Sequence, residues 1–203
     1  MSALESLRRL RASVEEVPFP GEPLRPPVAR VPPGQGVAEL GVRNALVTGA
    51  IRRATGGETV NVFATLARHR RAFRPWLRFA GRLMPFGTLP RRDAELVILR
   101  VAVLCGSDYE WAQHARLGQH AGLTPEEVAR IGDHPESAPW SDRDRTLLRA
   151  TDCLVHDHTI PDPLWSDLAL HLPEPQRIEL CLLAGHYAML AGTLNALGVE
   201  PER

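Results

Sequence analysis

Lysine is missing altogether from this chain of 203 residues; all 24 of its basic side chains are arginine. That absence excludes a Schiff-base lysine, and with it covalent pyridoxal phosphate attachment and class I aldolase chemistry. It also excludes a Walker lysine. Cysteine is scarce, with Cys105, Cys153 and Cys181 alone, an odd number containing no C-x-x-C pair. A disulfide framework is not expected, and a reducing cytoplasm fits best. Neither sign of charge is in excess: formal net charge is zero, which argues against nucleic acid or an anionic membrane as the main partner. The opening MSALESLRRLRASVEE has no uninterrupted apolar segment, so a signal peptide is not expected. The longest apolar stretch, Leu180 to Leu197, is broken by Gly185, His186, Tyr187, Gly192 and Asn195. It reads as a buried helix rather than a membrane span. No run alternates apolar and polar residues as a half-buried strand would. The expected class is all-α.

Two segments are expected, 1–40 and 41–203. The first opens with Leu4, Leu7, Leu10 and Val14 at helical spacing over residues 3–15. Seven prolines follow between Pro18 and Pro33. Proline fixes φ and removes a donor, so this stretch reads as an extended arm lying outside the core or wrapping its own domain or a neighbour. The helical segment begins with a short helix over Ala45–Ala54, stopped by Gly56 and Gly57. The stretch from Val60 to Met84 follows, with a break expected near Pro75. Its arginines 68, 70, 71, 74, 78 and 82 alternate with apolar residues, which favours a solvated or subunit-facing side over a nucleic-acid footprint. Thr124-Pro125-Glu126-Glu127 carries a capping box. Ser141-Asp142 and Asp162-Pro163 open two more helices, and a last long helix runs from about Pro175 to Leu197. Leu89-Pro90 with Glu95-Leu96 recurs as Leu172-Pro173 with Glu179-Leu180, a weak repeat that implies two related halves with one active copy.

Between Pro90 and Gly122 lies PRRDAELVILRVAVLCGSDYEWAQHARLGQHAG. It reads as two helices, about Arg91–Cys105 and Asp108–Ala121, joined by a turn at Gly106-Ser107. The first is apolar on nearly every face after Glu95, Arg100 excepted, as a buried helix is. On antiparallel helices Glu95 and His114 differ in height by roughly 6 Å, within reach of long side chains. Glu110 and His114 are four apart and share a face. A pocket holding Glu95, Glu110 and His114, walled by Tyr109 and Trp111, is therefore feasible and suits proton transfer: a carboxyl in an apolar site holds its proton, and an imidazole can share it. Each residue also has a plain structural reading. Ser107 and Glu110 form a capping-box pattern. His114 fits a core histidine, Glu95 fits a partner for Arg91 or Arg92, and Tyr109 and Trp111 fit core. His156 and His158 are two apart and would need further ligands, so no metal is expected.

Leu89-Pro90, Arg92, Glu95-Leu96, Ile98-Leu99-Arg100, Tyr109-Glu110-Trp111, His114 and Ala121-Gly122-Leu123 together resemble the carboxymuconolactone decarboxylase family, within the alkylhydroperoxidase D-like superfamily. The resemblance runs from about Asn61 to Glu202 and leaves out the arm. It implies an all-helical bundle, no cofactor, a small-molecule substrate, and homo-oligomers, often trimers or hexamers. The peroxidase branch carries C-x-x-C four residues ahead of its histidine; those positions here are Ser107 and Glu110, so dithiol redox cycling is not expected. The decarboxylase branch implies Glu95 and His114 as the acid/base pair, with Glu110 assisting. It implies Tyr109, Trp111, Arg100 and Ser107 as substrate-contacting residues, Arg100 against a substrate carboxylate. The alternatives are an antioxidant hydroperoxidase using Cys105, another tailoring reaction, or a non-catalytic oligomeric role.

Overall fold

The computed structural model describes residues 14–54, 60–137 and 139–202. Ten helices and no strand are found among them: α1 (Gly36–Leu40), α2 (Val42–Ala54), α3 (Asn61–Leu66), α4 (Phe73–Leu83), α5 (Arg91–Leu104), α6 (Asp108–His120), α7 (Pro125–Arg130), α8 (Asp142–His156), α9 (Asp162–His171) and α10 (Glu174–Leu197). The helix expected over residues 3–15 falls, its last two residues apart, outside the described residues.

Helix α5 is the axis of the bundle, packed by α6, α8 and α10. Leu96, Val97, Ile98, Leu99 and Val101 have no exposed surface, and each such side chain contributes about 1.5–3 kcal/mol relative to remaining in water. Burial that complete leaves rotation about the helix axis poorly specified. Three ion pairs to α8 fix it: Arg92 Nη1 to Asp144 at 2.6 Å, Arg143 Nη2 to Asp93 at 2.6 Å, and Arg100 Nε to Asp152 at 2.6 Å. Arg92 also reaches Glu127 in α7, at 2.7 Å.

Helices α5 and α10 both start after a Leu-Pro pair whose leucine is buried. The glutamates that follow do different work. Glu179 on α10 accepts from the Thr88 and Leu89 amides and the Thr88 hydroxyl at 2.5–3.0 Å. This clamps the loop that leads into α5. Burial alone would raise its pKa; the Thr88 and Leu89 hydrogen bonds outweigh burial and hold it below the ordinary carboxylate value.

Several expected boundaries shift. The break in the 60–84 stretch lies at residues 67–72, not at Pro75. Pro75 is in the first turn of α4, where its missing N–H leaves no bond unmade. Helix α2 begins three residues earlier than expected. Leu40, the last residue of α1, is buried against Ala67 and Phe73. The caps at Thr124 and Ser141 form as read.

The proline-rich arm is docked. The Trp111 indole donates to the Val17 carbonyl at 2.9 Å, and Phe19 meets the same ring edge-on at 5.9 Å. Arg25 Nε spans both oxygens of Asp108 at 3.0 and 2.8 Å, and the amides of Arg30 and Val31 donate to the Leu197 carbonyl. Between these anchors the Leu24 amide donates to the Gly106 carbonyl at 3.0 Å. Gly106 has φ of 60°, and a Cβ there would lie 2.5 Å from Leu24 Cγ. The turn therefore needs glycine for its conformation and for the arm lying over it.

Candidate functional site

Helices α5 and α6 are joined by a three-residue connection, Cys105 to Ser107, so they run antiparallel side by side, and Glu95 and His114 meet directly. His114 Nδ1 lies 2.6 Å from Glu95 Oε2. Glu95 has no exposed surface, whereas 12% of the His114 side chain is exposed. The other carboxylate oxygen is 2.8 Å from Arg91 Nη2, one turn earlier on α5, and Arg91 is 38% exposed. Gly118, one turn beyond His114, lies close under Leu123 and Leu99: a Cβ there would stand 2.9 Å from Leu123 Cδ1 and 3.3 Å from Leu99 Cδ1.

A carboxylate beside Nδ1 holds that nitrogen as the N–H donor and leaves the lone pair on Nε2. His114 Nε2 has no hydrogen-bond partner among the described residues, and it is not sealed from solvent. The Tyr187 hydroxyl, from α10, is in the same condition. Its ring meets the imidazole edge-on at 5.1 Å. Burial first, then the Glu110 and Glu95 carboxylates, push the Tyr187 phenol well above its ordinary pKa, with Arg91 acting in the opposite direction. The phenol therefore stays a hydrogen-bond donor at neutral pH.

Glu110 sits one turn before His114, is 2% exposed, and has no hydrogen-bond partner on either oxygen among the described residues. Burial raises its pKa well above 4.5. An uncompensated charge there would be costly, so burial favours the protonated form of this carboxyl. The capping-box reading of Glu110 is corrected accordingly. Ser107 does cap α6, accepting from the Glu110 amide at 3.4 Å, but the Glu110 side chain does not reach back.

The remaining expected site residues are occupied elsewhere. Arg100 makes a two-pronged pair with Asp152, and its Nη1 donates to the carbonyls of Ile131 and Asp133 at 2.6 and 2.8 Å. It is a buried strut joining α5, α8 and the 131–133 turn, and it does not face the Glu95–His114 pair. Tyr109 accepts from the Val62 amide and donates to Glu202, so it ties down the C-terminal residues. Trp111 anchors the arm. Ser107 is fully buried in its capping role. Arg91 and Tyr187 are the site residues that sequence reasoning did not assign. Arg91 carried a signal in its i,i+4 spacing to Glu95; Tyr187 falls within the stretch that the resemblance covers but carried no signal of facing His114, because a residue 73 positions away on another helix is placed only by tertiary packing.

His186 adjoins Tyr187 at 5.3 Å and is walled by Phe79 and Trp76. Burial lowers its pKa to about 4. Burial and then Glu110 push the Cys105 thiol up to about 11. Among the described residues no three His, Cys, Asp or Glu side chains gather as a metal site would require.

Residues 70–152 match the Carboxymuconolactone decarboxylase family. The fold is shared with an uncharacterized peroxidase-related protein from Ralstonia eutropha JMP134, described as having an alkylhydroperoxidase AhpD core. That match has TM-score 0.74 and 17% identity, covering 87% of this chain and 94% of that one. An uncharacterized peroxidase-related protein from Silicibacter sp. TM1040 aligns over 95% of each chain, with TM-score 0.71 and 13% identity. A putative antioxidant defence protein AhpD from Agrobacterium tumefaciens aligns over 66% of this chain and 92% of its own, with TM-score 0.61 and 18% identity. No protein of curated function matches the sequence. The match to the carboxymuconolactone decarboxylase family is thus confined to residues 70–152, and the likeness to the three solved structures, at 13–18% identity, is one of fold.

Proposed function

We propose that this chain is a cofactor-independent acid/base enzyme, a carboxy-lyase or isomerase acting on a small carboxylated lactone or related cyclic acid in the cytoplasm. The observation that carries the reading is the buried Glu95–His114 pair, at 2.6 Å, with the second imidazole nitrogen left open. Neutral Glu110 and the Tyr187 hydroxyl stand beside it as proton donors. In decarboxylation the bond between the ring carbon and the carboxylate carbon breaks and CO2 leaves. The bonding pair passes into the unsaturated lactone, and the resulting dienolate takes a proton from Glu110 or the Tyr187 hydroxyl, which solvent replaces. In isomerisation His114 Nε2 removes a proton next to the lactone carbonyl and returns it elsewhere on the conjugated system. Arg91 offers countercharge at the exposed edge of the pair.

The test is CO2 release from 4-carboxymuconolactone by the wild type, His114→Ala and Glu95→Gln. Each variant is expected to lose about 10²–10⁴-fold, the usual range for general acid/base groups. Equal rates in all three would remove both residues from the chemistry. Exchange of lactone protons with D2O reads the proton-transfer step separately, should another ring acid be the substrate.

A second reading is an antioxidant hydroperoxidase, supported by the descriptions of the structural neighbours. A peroxidatic cysteine needs an accessible thiolate. Here the dithiol positions hold Ser107 and Glu110, and the Cys105 thiol is held near 11 in a half-buried turn under the arm. Those features favour the acid/base reading. Peroxide consumption by the wild type that is lost in Cys105→Ser would reverse the preference.

A further inference from the structure

Helix α10 buries one face in the bundle and leaves the other bare. Ile178, Leu182, Gly185, Met189, Gly192 and Ala196 are all exposed, with Ile178, Leu182 and Met189 at 52%, 47% and 52%. Their spacing alternates four and three residues, the seam of a coiled coil. The seam is also symmetric about position 187. Turned end for end on a second copy, Ile178 falls opposite Ala196, Leu182 opposite Gly192, and Met189 opposite Gly185. Every large side chain meets a small one.

The two glycines have no explanation within one copy. Glycine in a helix interior is destabilising relative to alanine. A Cβ at Gly185 or Gly192 would meet nothing within 4 Å. The single chain therefore gains nothing from their lack of a side chain; a knob from outside would. Between Arg177 and Glu200 the α10 segment has one carboxylate, Glu179, and it is turned inward onto Thr88 and Leu89. The seam is thus free of charge. Its ends are not: Arg30 is held at the C-terminal end by the Ala196 carbonyl at 3.1 Å, and Glu174 is exposed at the N-terminal end. Antiparallel pairing sets the Arg30 of each copy near the Glu174 of the other, and opposes the two helix dipoles.

We infer that this face of α10 is a two-fold interface between copies of this chain, packed antiparallel in the register Ile178–Ala196, Leu182–Gly192, Met189–Gly185. An isologous contact of this kind is self-complementary by construction. It backs the two candidate sites onto each other, because Tyr187 on the inner face of the same turn touches His114.

Gly192→Leu separates assembly from folding, since its side chain enters open space in one copy but collides with Leu182 of the second. The variant is expected to stay folded, with the helix content of the wild type by circular dichroism. It is expected to weaken self-association about 100-fold, the clash being counted twice across the two-fold, with mass by light scattering falling at least by half. Ala188, half-buried on the flank of the seam, then faces its own counterpart across the axis. In a Cys181→Ser background, Ala188→Cys should give a disulfide-linked dimer on mild oxidation, and adding Gly192→Leu should abolish it. A wild type of monomer mass overturns the inference, and flotation with phosphatidylcholine vesicles would then assign the face to lipid. An unchanged mass in Gly192→Leu overturns it as well.

Discussion

At the scale of single residues, the chain sorts its buried charges by whether they have partners. Arg100 is the clearest case of a structural charge, with donors directed at Asp152, the Ile131 carbonyl and the Asp133 carbonyl. Arg100→Ala would leave two carbonyls and one carboxylate without their donor. Breaking a largely buried pair from one side costs about 3 kcal/mol, readable as a lower urea midpoint at unchanged m-value. CO2 release per folded molecule should be unaffected, and a stable but inactive Arg100→Ala would return this residue to the substrate. Glu110 is the opposite case, a carboxyl with no hydrogen-bond partner on either oxygen among the described residues. Its neighbour on the same face, His114, has its Nδ1 committed to Glu95 and its Nε2 to no partner among the described residues. The difference between a strut and a reactive group is therefore visible in what each atom touches, even though all of these side chains are buried to a similar degree.

At the scale of elements, the arm and the α5–α6 turn form one unit. Trp111 and Arg25 anchor the arm on either side of Leu24, whose amide bonds Gly106. Trp111→Phe removes one neutral hydrogen bond and trims the buried indole to a single ring, and Arg25→Ala removes a partly exposed ion pair; each is expected to cost the docking of the arm about 1 kcal/mol. Combined, they should speed hydrogen exchange at the Leu24 amide about 5–30-fold, with the amides of α5 unchanged. Exchange rising equally in both would mean that the arm and the bundle open together. The helices were legible in the sequence where signals were local: the caps at Ser107, Thr124 and Ser141, the apolar run after Glu95, and the facing of Glu95 and His114, which follows from helix rise and turn length alone. The roles of Tyr109, Trp111 and Arg100 were not legible. Each is decided by a partner more than 30 residues away — Glu202, Val17, and Asp152 with the 131–133 carbonyls — and no local pattern marks a long-range partner. The docking of the arm was invisible for the same reason, since proline content excludes helix but says nothing about where an extended chain lies. Pro75 was misplaced as a break because proline stops a helix only from its interior, and in a first turn it starts one.

For the whole molecule, the unpartnered groups around the site set how stability responds to pH, and the signs can be worked out for two of them. His186 has its pKa lowered by burial from 6.5 to about 4. The unfolded chain therefore binds this proton first as pH falls, and stability contributed by neutral His186 drains away between about 6.5 and 4. Glu110 has its pKa raised well above 4.5 by burial. Here the folded chain keeps the proton longer, so stability is fully present below 4.5 and falls as pH rises toward the folded value. The two slopes have opposite signs, which allows one experiment to separate them. Urea midpoints measured from pH 4 to pH 8 should show an acid limb that flattens in His186→Phe, a ring replacing a ring among Trp76, Phe79 and Tyr187. Glu110→Gln should leave the acid limb intact and gain stability relative to the wild type on going from pH 5 to pH 8. Should Glu110→Gln track the wild type at every pH, Glu110 would titrate as an ordinary carboxyl. It would then be charged at neutral pH, and the proton donor beside His114 would have to be the Tyr187 hydroxyl.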